Sequence, residues 1–521
     1  MNTKQGLLRS RTVARIGLII LIAAILAPIG GYDVFAATTL AVTHGIATGD
    51  VTATSAVVWA RANDAATLNV EYDLDPLFSQ PIVAQASTAA ATDYTAIVKL
   101  DGLRPDTLYA YRAWFSNTVT GSGKVSGAFK TAPAATTSRP VSFVWSGDLG
   151  GANYCRRVGV GYSIFAQMQS LNPDFFVFNG DMIYGDGICP TEGPDGPGGW
   201  ENVPGDFRSV TNSTIDWTNA AQVRDAYVKH WRYNWADPSF QNFRRQTSMY
   251  MQWDDHDVIN DFGGPWTYWN ADTTGRAGFP NLVSEGRRAL FDYAPIARNQ
   301  AEPNRLYRSF TWGKDLDVFI LDGRSYRSRN DMTDTAANNK TMLGAAQMQW
   351  LKQSLQNSTA TWKVISSNVP LEVPTGSNTT VYGRDGFANG TVSGLSGQSG
   401  YERELLDLMR FMDTANLKNV VFLTTDAHFA QTLRSEVDTN GDGDKFLFHE
   451  LVAGPLSANP LQPKALDPSL SPQSLYAEGN FFNFGYIQVQ QGTDGKVHLI
   501  ADIRGEDGQQ RPGSLLDLSA H

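Results

Sequence analysis

Cysteine is almost absent from this sequence: Cys155 and Cys189 are the only two in 521 residues. A scaffold held together mainly by disulfides is therefore excluded. Basic residues are in deficit, with a formal charge of −10, which argues against a nucleic-acid-binding surface and says nothing of fold. Beyond the first thirty-six residues no apolar run is long enough to span a bilayer. No internal repeat of solenoid period occurs, and the only biased tracts are glycine-rich stretches at 185–199 and 385–400. Hydrophobic residues at 42% against 18% charged mark a globular chain, and its length suggests roughly two to four domains.

The N-terminus stands apart. Lys4, Arg9, Arg11 and Arg15 precede an apolar run from Ile16 to Ile29, and Val34-Phe35-Ala36 follows as a small-residue cleavage pattern. Residues 1–36 read as a secretory signal peptide cut between Ala36 and Ala37, for export to a periplasmic or extracellular space. A single membrane anchor is the alternative, for which the run is short. No adjacent arginines occur, which favours the general secretion route. In an oxidising compartment Cys155 and Cys189 can pair. Each lies seven or eight residues beyond an aspartate (Asp148, Asp181) that ends a strand-like run, so a bridge between the two loops is expected rather than two separate thiols.

Residues 37–135 hold short runs rich in β-branched and aromatic residues: AVVWAR (56–61), LNVEYD (68–73), YTAIVKL (94–100) and TLYAYRAWF (107–115). They predict a small β-sandwich, and GLRPDTLYAYRAWF resembles the late strands of fibronectin type III domains. Ala132–Pro140 reads as a linker. From residue 136 onward strand-like runs alternate with helical stretches such as 162–171, 345–355 and 402–412, the pattern of a layered α/β domain reaching 521.

One event recurs in that second part. VSFVWSG runs into Asp148, and FFVFNG into Asp181 with Tyr184 behind it. SMYMQW meets Asp254, Asp255, His256 and Asp257, while LDVFIL meets Asp322, Arg324 and Arg327. WKVISS meets Asn368, and NVVFLTT meets Asp426 and His428. Each has an ordinary reading: Asp148 as a turn or cap, the DDHD run as a solvated loop, DAH as a strand end with a core histidine. Their shared position is what carries weight, because strand ends on one edge of an α/β sheet converge on the ligand crevice. Carboxylates crowded there repel one another unless cations lie among them, and oxygen ligands with imidazole and phenol suit hard metal ions.

These motifs resemble the PhoD-type alkaline phosphatase/phosphodiesterases, within the calcineurin-like metallophosphoesterases. Asp-x-Gly at 148–150, GDMIY at 180–184 and TDAH at 425–428 are similar to the metal motifs of purple acid phosphatases. WDDHD (253–257), LDGRSYR (321–327) and HGIATGD (44–50) are more specifically PhoD-like. The resemblance implies a four-layer αββα sandwich behind the N-terminal fibronectin-like domain, and a binuclear centre. Asp148, Asp181, Tyr184 and Asp426 would hold one ion, Fe(III). Asp181 would bridge to a second, Ca2+, with Asp255, Asn368 and His428 as its candidate ligands. The family's first motif commonly has a cysteine as an iron ligand where this chain has SGDLGG, which leaves Mn2+ and Zn2+ open.

The activity so implied is hydrolysis of phosphate mono- or diesters of a small molecule, a lipid head group or a cell-wall polymer. His256 is the expected proton donor, oriented by Asp254 or Asp257, and Arg324 or Arg327 would grip the phosphate unless each forms an ordinary salt bridge. Two rivals stand beside this reading: a phospholipase D-type diesterase on the same scaffold, and a secreted binding protein without catalysis. DTNGDGD (438–444) has the first half of a calcium loop, but His449 stands where the closing glutamate belongs, so a hairpin turn is the better reading.

Overall fold

The computed structural model describes residues 39–151, 153–263, 279–376, 383–390 and 399–521. The expected signal peptide, 1–36, lies outside them, as does 391–398 of the second glycine-rich stretch. Seven strands come first: β1 (Val42–Gly49), β2 (Ser55–Ala62), β3 (Thr67–Asp73), β4 (Ile82–Ser87), β5 (Thr95–Asp101), β6 (Leu108–Ser116) and β7 (Val125–Lys130). Next are β8 (Val141–Ser146), α1 (Ile164–Ser170), β9 (Phe175–Phe178), α2 (Ala220–Trp235), α3 (Pro238–Arg244), β10 (Ser248–Met251) and α4 (Phe279–Tyr293). Then follow β11 (Arg308–Trp312), β12 (Leu316–Ile320), α5 (Gly344–Asn357), β13 (Trp362–Ser366), α6 (Glu402–Thr414) and β14 (Val420–Thr424). The chain closes with β15 (Ala430–Val437), β16 (Phe446–Val452), β17 (Gln473–Glu478), β18 (Asn483–Gln491), β19 (Val497–Gly505) and β20 (Leu516–Ser519).

Three sheets result. The first has the order β20-β19-β18-β8-β9-β10-β1-β2-β5, the second β11-β12-β13-β14-β16-β15-β17, and the third β4-β3-β6-β7. β8, β9 and β10 are parallel neighbours, and so are β12, β13 and β14. Parallel strands are covered on both faces and need apolar residues throughout, which is why FFVF is buried at every position. Phe175 and Val177 face a core shared with Val318, Val364 and Val421 of the second sheet. Phe176 and Phe178 face the opposite way, into a core with Phe165 of α1, Trp231 of α2 and Phe240 of α3. Beyond the second sheet, Phe319, Ile365 and Phe422 pack on Leu351 of α5 and Leu408 of α6. Helices thus cover the outer faces of two sheets packed face to face. Full burial of a Phe side chain contributes about 1.5–3 kcal/mol.

β1, β2 and β5 join the first sheet through β10, where Gly49 pairs with Met249. Their other face shares a core with β3 and β6, including Val58, Leu100, Val70 and Tyr111. The 438–444 run turns between antiparallel β15 and β16, with Val437 opposite Phe446, so it is the hairpin turn. Cys155 and Cys189 form the expected disulfide. Among the described residues, no helix is long and apolar enough to cross a membrane.

Candidate active site

All six runs that end on polar clusters are strands, and their C-terminal ends meet. Asp148 follows β8, Asp181 follows β9, and Asp426 and His428 follow β14. Each of the four adopts a left-handed backbone, with φ of 59°, 48°, 68° and 57°. Outside glycine that conformation is uncommon, although Asp, Asn and His adopt it more readily than other residues. Here it turns the chain sharply at the strand end, so a side chain is delivered inward where strand alternation would send it elsewhere.

Two ligand groups form. Asp148, Asp181 and His428 each present a ligand atom within 4.8 Å of the others, and the Tyr184 hydroxyl joins them at 3.0 Å from His428 Nε2. Asp254, Asp255 and Asp426 form a second set of the same tightness, which Asn368 adjoins by donating from Nδ2 to Asp254 Oδ1 at 2.6 Å. Asp181 also lies within that reach of Asp255 and His256, so it stands between the sets. The grouping differs from the one expected: His428 sits with Asp148, and Asp426 with Asp255. Asp426 and His428, two residues apart and both with left-handed φ, thus lie in different groups.

The donor set fits metal ions. Both oxygens of Asp148, Oδ2 of Asp181, Asp254 and Asp426, and Oδ1 of Asn368 are buried and accept no hydrogen bond among the described residues, although buried acceptors are ordinarily satisfied. Burial and the surrounding carboxylates push Asp148, Asp181, Asp254 and Asp426 well above the ordinary carboxylate range. Burial and Asp181 raise Tyr184 likewise, and burial lowers His428 to about 4. Asp255 is the exception: burial would raise it, but Arg324 and His256 outweigh that and hold it low. Gly454 leaves room beside the site, since a Cβ there would lie 2.4 Å from Asp148 Oδ2.

His256 stacks on Tyr184 with ring centroids 4.2 Å apart. Its Nδ1 is 2.7 Å from Asp186 Oδ1, and Asp186 Oδ2 accepts from the Asn260 amide at 2.9 Å. The carboxylate that orients His256 is therefore Asp186, not Asp254 or Asp257. Asp254 is taken up by Arg324 and Asn368, and Asp257 by the amides of Met182, Ile183 and Asp254. Burial would lower His256, but Asp186 and Asp255 override it and bring it to about 10.

Arg324 is wholly buried. Its Nη1 and Nη2 meet Asp385 at 2.6 Å each, Nη1 also donates to Phe262 O, and Nε donates to Asp254. Arg327 donates to Gly323 O, and through Nη1 to the Asp385 carbonyl and carboxylate; its buried Nη2 has no acceptor among the described residues. Asp322 accepts from Trp253 Nε1 at 2.8 Å and supports this turn. Sequence reasoning missed Asp186, Asp261 and Asp385, the last two forming a further acidic group with Asp255. Asp186 had a signal, a second Gly-Asp five residues after Asp181; Asp385 had only its place in a glycine-rich stretch.

A family model described as PhoD-like phosphatase matches residues 143–498, and one for the PhoD-like phosphatase N-terminal domain matches 32–133. Alkaline phosphatase D of Bacillus subtilis (strain 168) is 25% identical over 458 residues, covering 81% of this chain and 71% of the relative. A solved structure of PhoD aligns with a TM-score of 0.70 at 19% identity, covering 93% of each chain. Purple acid phosphatase PPD1 from yellow lupin (Lupinus luteus) seeds aligns at 0.57 and 14%, over 92% of this chain and 74% of that one. The strand-end carboxylates thus stand on a shared scaffold, and the chain belongs to the PhoD-like phosphatase family as a phosphoric ester hydrolase.

Proposed function

We propose that this hydrolase is exported and works through two metal ions. Asp148, Asp181, Tyr184 and His428 would hold one, and Asp254, Asp255, Asn368 and Asp426 the other, with Asp181 shared. The observation that carries this reading is the set of buried acceptors without donors among the described residues, gathered from five strand ends. Such a pair supplies a water of lowered pKa and positive charge around the phosphoryl oxygens. Tyr184 favours Fe(III) for the first position, and the all-oxygen second set favours Ca2+ or Mn2+.

The chain's own residues do the rest. His256, fixed through Nδ1 by Asp186, has Nε2 left to protonate the leaving oxygen. His256, Asp426 and His428 are the partly exposed members of the set, so substrate approaches from their side. Asp385 binds both Arg324 and Arg327, whose side chains are fully buried, so the ordinary salt-bridge reading fits both arginines better than a phosphate contact. A periplasmic or extracellular location agrees with the leader and the disulfide. A fibronectin type III-like sandwich at 37–135, ahead of a catalytic domain at 136–521, is supported by Tyr109, whose hydroxyl accepts from the Arg104 amide at 2.9 Å. The deciding experiment is metal analysis of purified protein beside rates on p-nitrophenyl phosphate, bis-p-nitrophenyl phosphate and phosphatidylcholine. Activity indifferent to exhaustive chelation would refute the metal centre; the substrate ranking separates monoesterase, diesterase and phospholipase D-type action.

A further inference from the structure

We infer that Asn234, on the last turn of α2, is a positioning residue for the metal centre: its amide fixes the peptide units that follow Asp148 and Asp181. The inference rests on the proposed centre and extends it to a residue far from any strand end. Asn234 is 2% exposed. Its Nδ2 donates to Met182 O at 2.8 Å and to Leu149 O at 3.2 Å. Those carbonyls belong to the residues directly after the two aspartates. Carbonyls only accept, so the nitrogen must face them and the oxygen must face away. That oxygen accepts from the Tyr162 hydroxyl at 2.6 Å, which locks the amide in its one productive orientation.

Backbone bonds tie the two turns to each other, and Asn234 adds a side-chain brace on their far carbonyls. Asp148 and Asp181 both carry left-handed φ values, a conformation that persists only where surroundings impose it. Leu149 N donates to Asp181 O at 2.8 Å, and Asp148 N to Gly180 O at 3.3 Å, tying the turns edge to edge. Asp257 holds the Met182 and Ile183 amides from the other side. Asn234 is the side chain that spans both turns, and no other residue type of that length offers two donors to carbonyls and an acceptor to a hydroxyl. Gly150 keeps the approach open, since a Cβ there would lie 2.1 Å from the Tyr162 oxygen.

A structural comparator lies nearby. Asn202 is also buried and bridges the same two loops farther out, donating to Asn153 O and Pro190 O beside the disulfide. If Asn234 only stabilises the fold, Asn234→Asp and Asn202→Ala should behave alike. If it positions the ligands, only Asn234→Asp should weaken metal binding, by about 10–100-fold as for other residues behind metal ligands.

The test is titration of metal-free full-length protein with Mn2+, followed by paramagnetic resonance, alongside thermal melts of the metal-free forms. Asn234→Asp is expected to bind Mn2+ at least tenfold more weakly. Tyr162→Phe, which frees the amide without touching it, is expected to lose affinity in the same direction but less. Asn202→Ala is expected to melt lower yet bind Mn2+ within twofold of wild type. Wild-type affinity in both Asn234→Asp and Tyr162→Phe would overturn the inference, as would equal losses in Tyr162→Phe and Asn202→Ala should Asn234→Asp fail to fold. Wild-type protein that takes up no Mn2+ would overturn the centre itself, and this inference with it.

Discussion

Replacing Asp186 with Asn tests the proton-donor assignment at the atom where it is made. The carboxylate accepts twice, from His256 at Nδ1 and from the Asn260 amide. An amide has one acceptor oxygen. Facing Asn260 with it turns the NH2 toward His256, which must then be neutral, with its remaining proton on Nε2 as a far weaker acid. Facing His256 with it sets two donors against each other at Asn260. Either arrangement removes a charge-assisted bond at 2.7 Å. A hydrogen bond to a charged group contributes about 2 kcal/mol, or about 30-fold in rate. That loss should appear in kcat/KM for an alkyl phosphate, whose leaving group needs the proton. For p-nitrophenyl phosphate, whose leaving group does not, the loss should stay below about threefold. Metal content should stay at the wild-type level, because the substituted group touches His256 and a backbone amide. Equal slowing of both esters, or loss of metal, would refute the reasoning and make His256 a ligand.

Removing the disulfide with Cys155→Ser should cost about 3–4 kcal/mol, given the 34-residue separation; thiol titration of the denatured, unreduced wild type should find no free thiol, and two would contradict the bridge. Glu372 and Glu450 are buried together, and burial raises them to about 8 and about 7. A carboxyl raised by folding holds protons the unfolded chain has released, so its contribution is full below the ordinary glutamate value and lost as pH climbs to about 8. Melting temperature should therefore fall between pH 5 and 8, and Glu372→Gln should flatten the fall; parallel curves for the two proteins would rule this pair out as the cause.

Much of the site was legible because one rule was enough. A fully buried parallel strand must be apolar, so the first carboxylate after VSFVWS, FFVF or VVFLT marks the sheet edge where ligands gather. Asp148, Asp181, Tyr184, Asp255, Asn368, Asp426 and His428 all lie there. The grouping of Asp426 with Asp255 and of His428 with Asp148 was not legible, because spacing along the chain does not say which side chains meet across a sheet edge. Asp186 and Asn234 act across 70 and 52 positions, on His256 and on Met182 O, and a pairing of that range leaves no local pattern. The guanidinium of Arg324 was legible as a charge at the right strand end, but not its occupation by Asp385 from a distant loop. In the fold, the N-terminal strands were readable one by one from their alternation; that β1, β2 and β5 extend the same sheet as β8, β9 and β10 was not, because alternation names a buried face and not a partner.

Strand-end carboxylates are proposed to hold two metal ions shared through Asp181. The most direct test is metal stoichiometry, measured by elemental analysis on the same preparations of wild type and Asp181→Asn whose hydrolysis is assayed. Two ions per active wild-type chain, with Asp181→Asn depleted in metal and nearly inactive at an unchanged fold, is the predicted result. Full activity in Asp181→Asn, or an active wild type without stoichiometric metal, would contradict it.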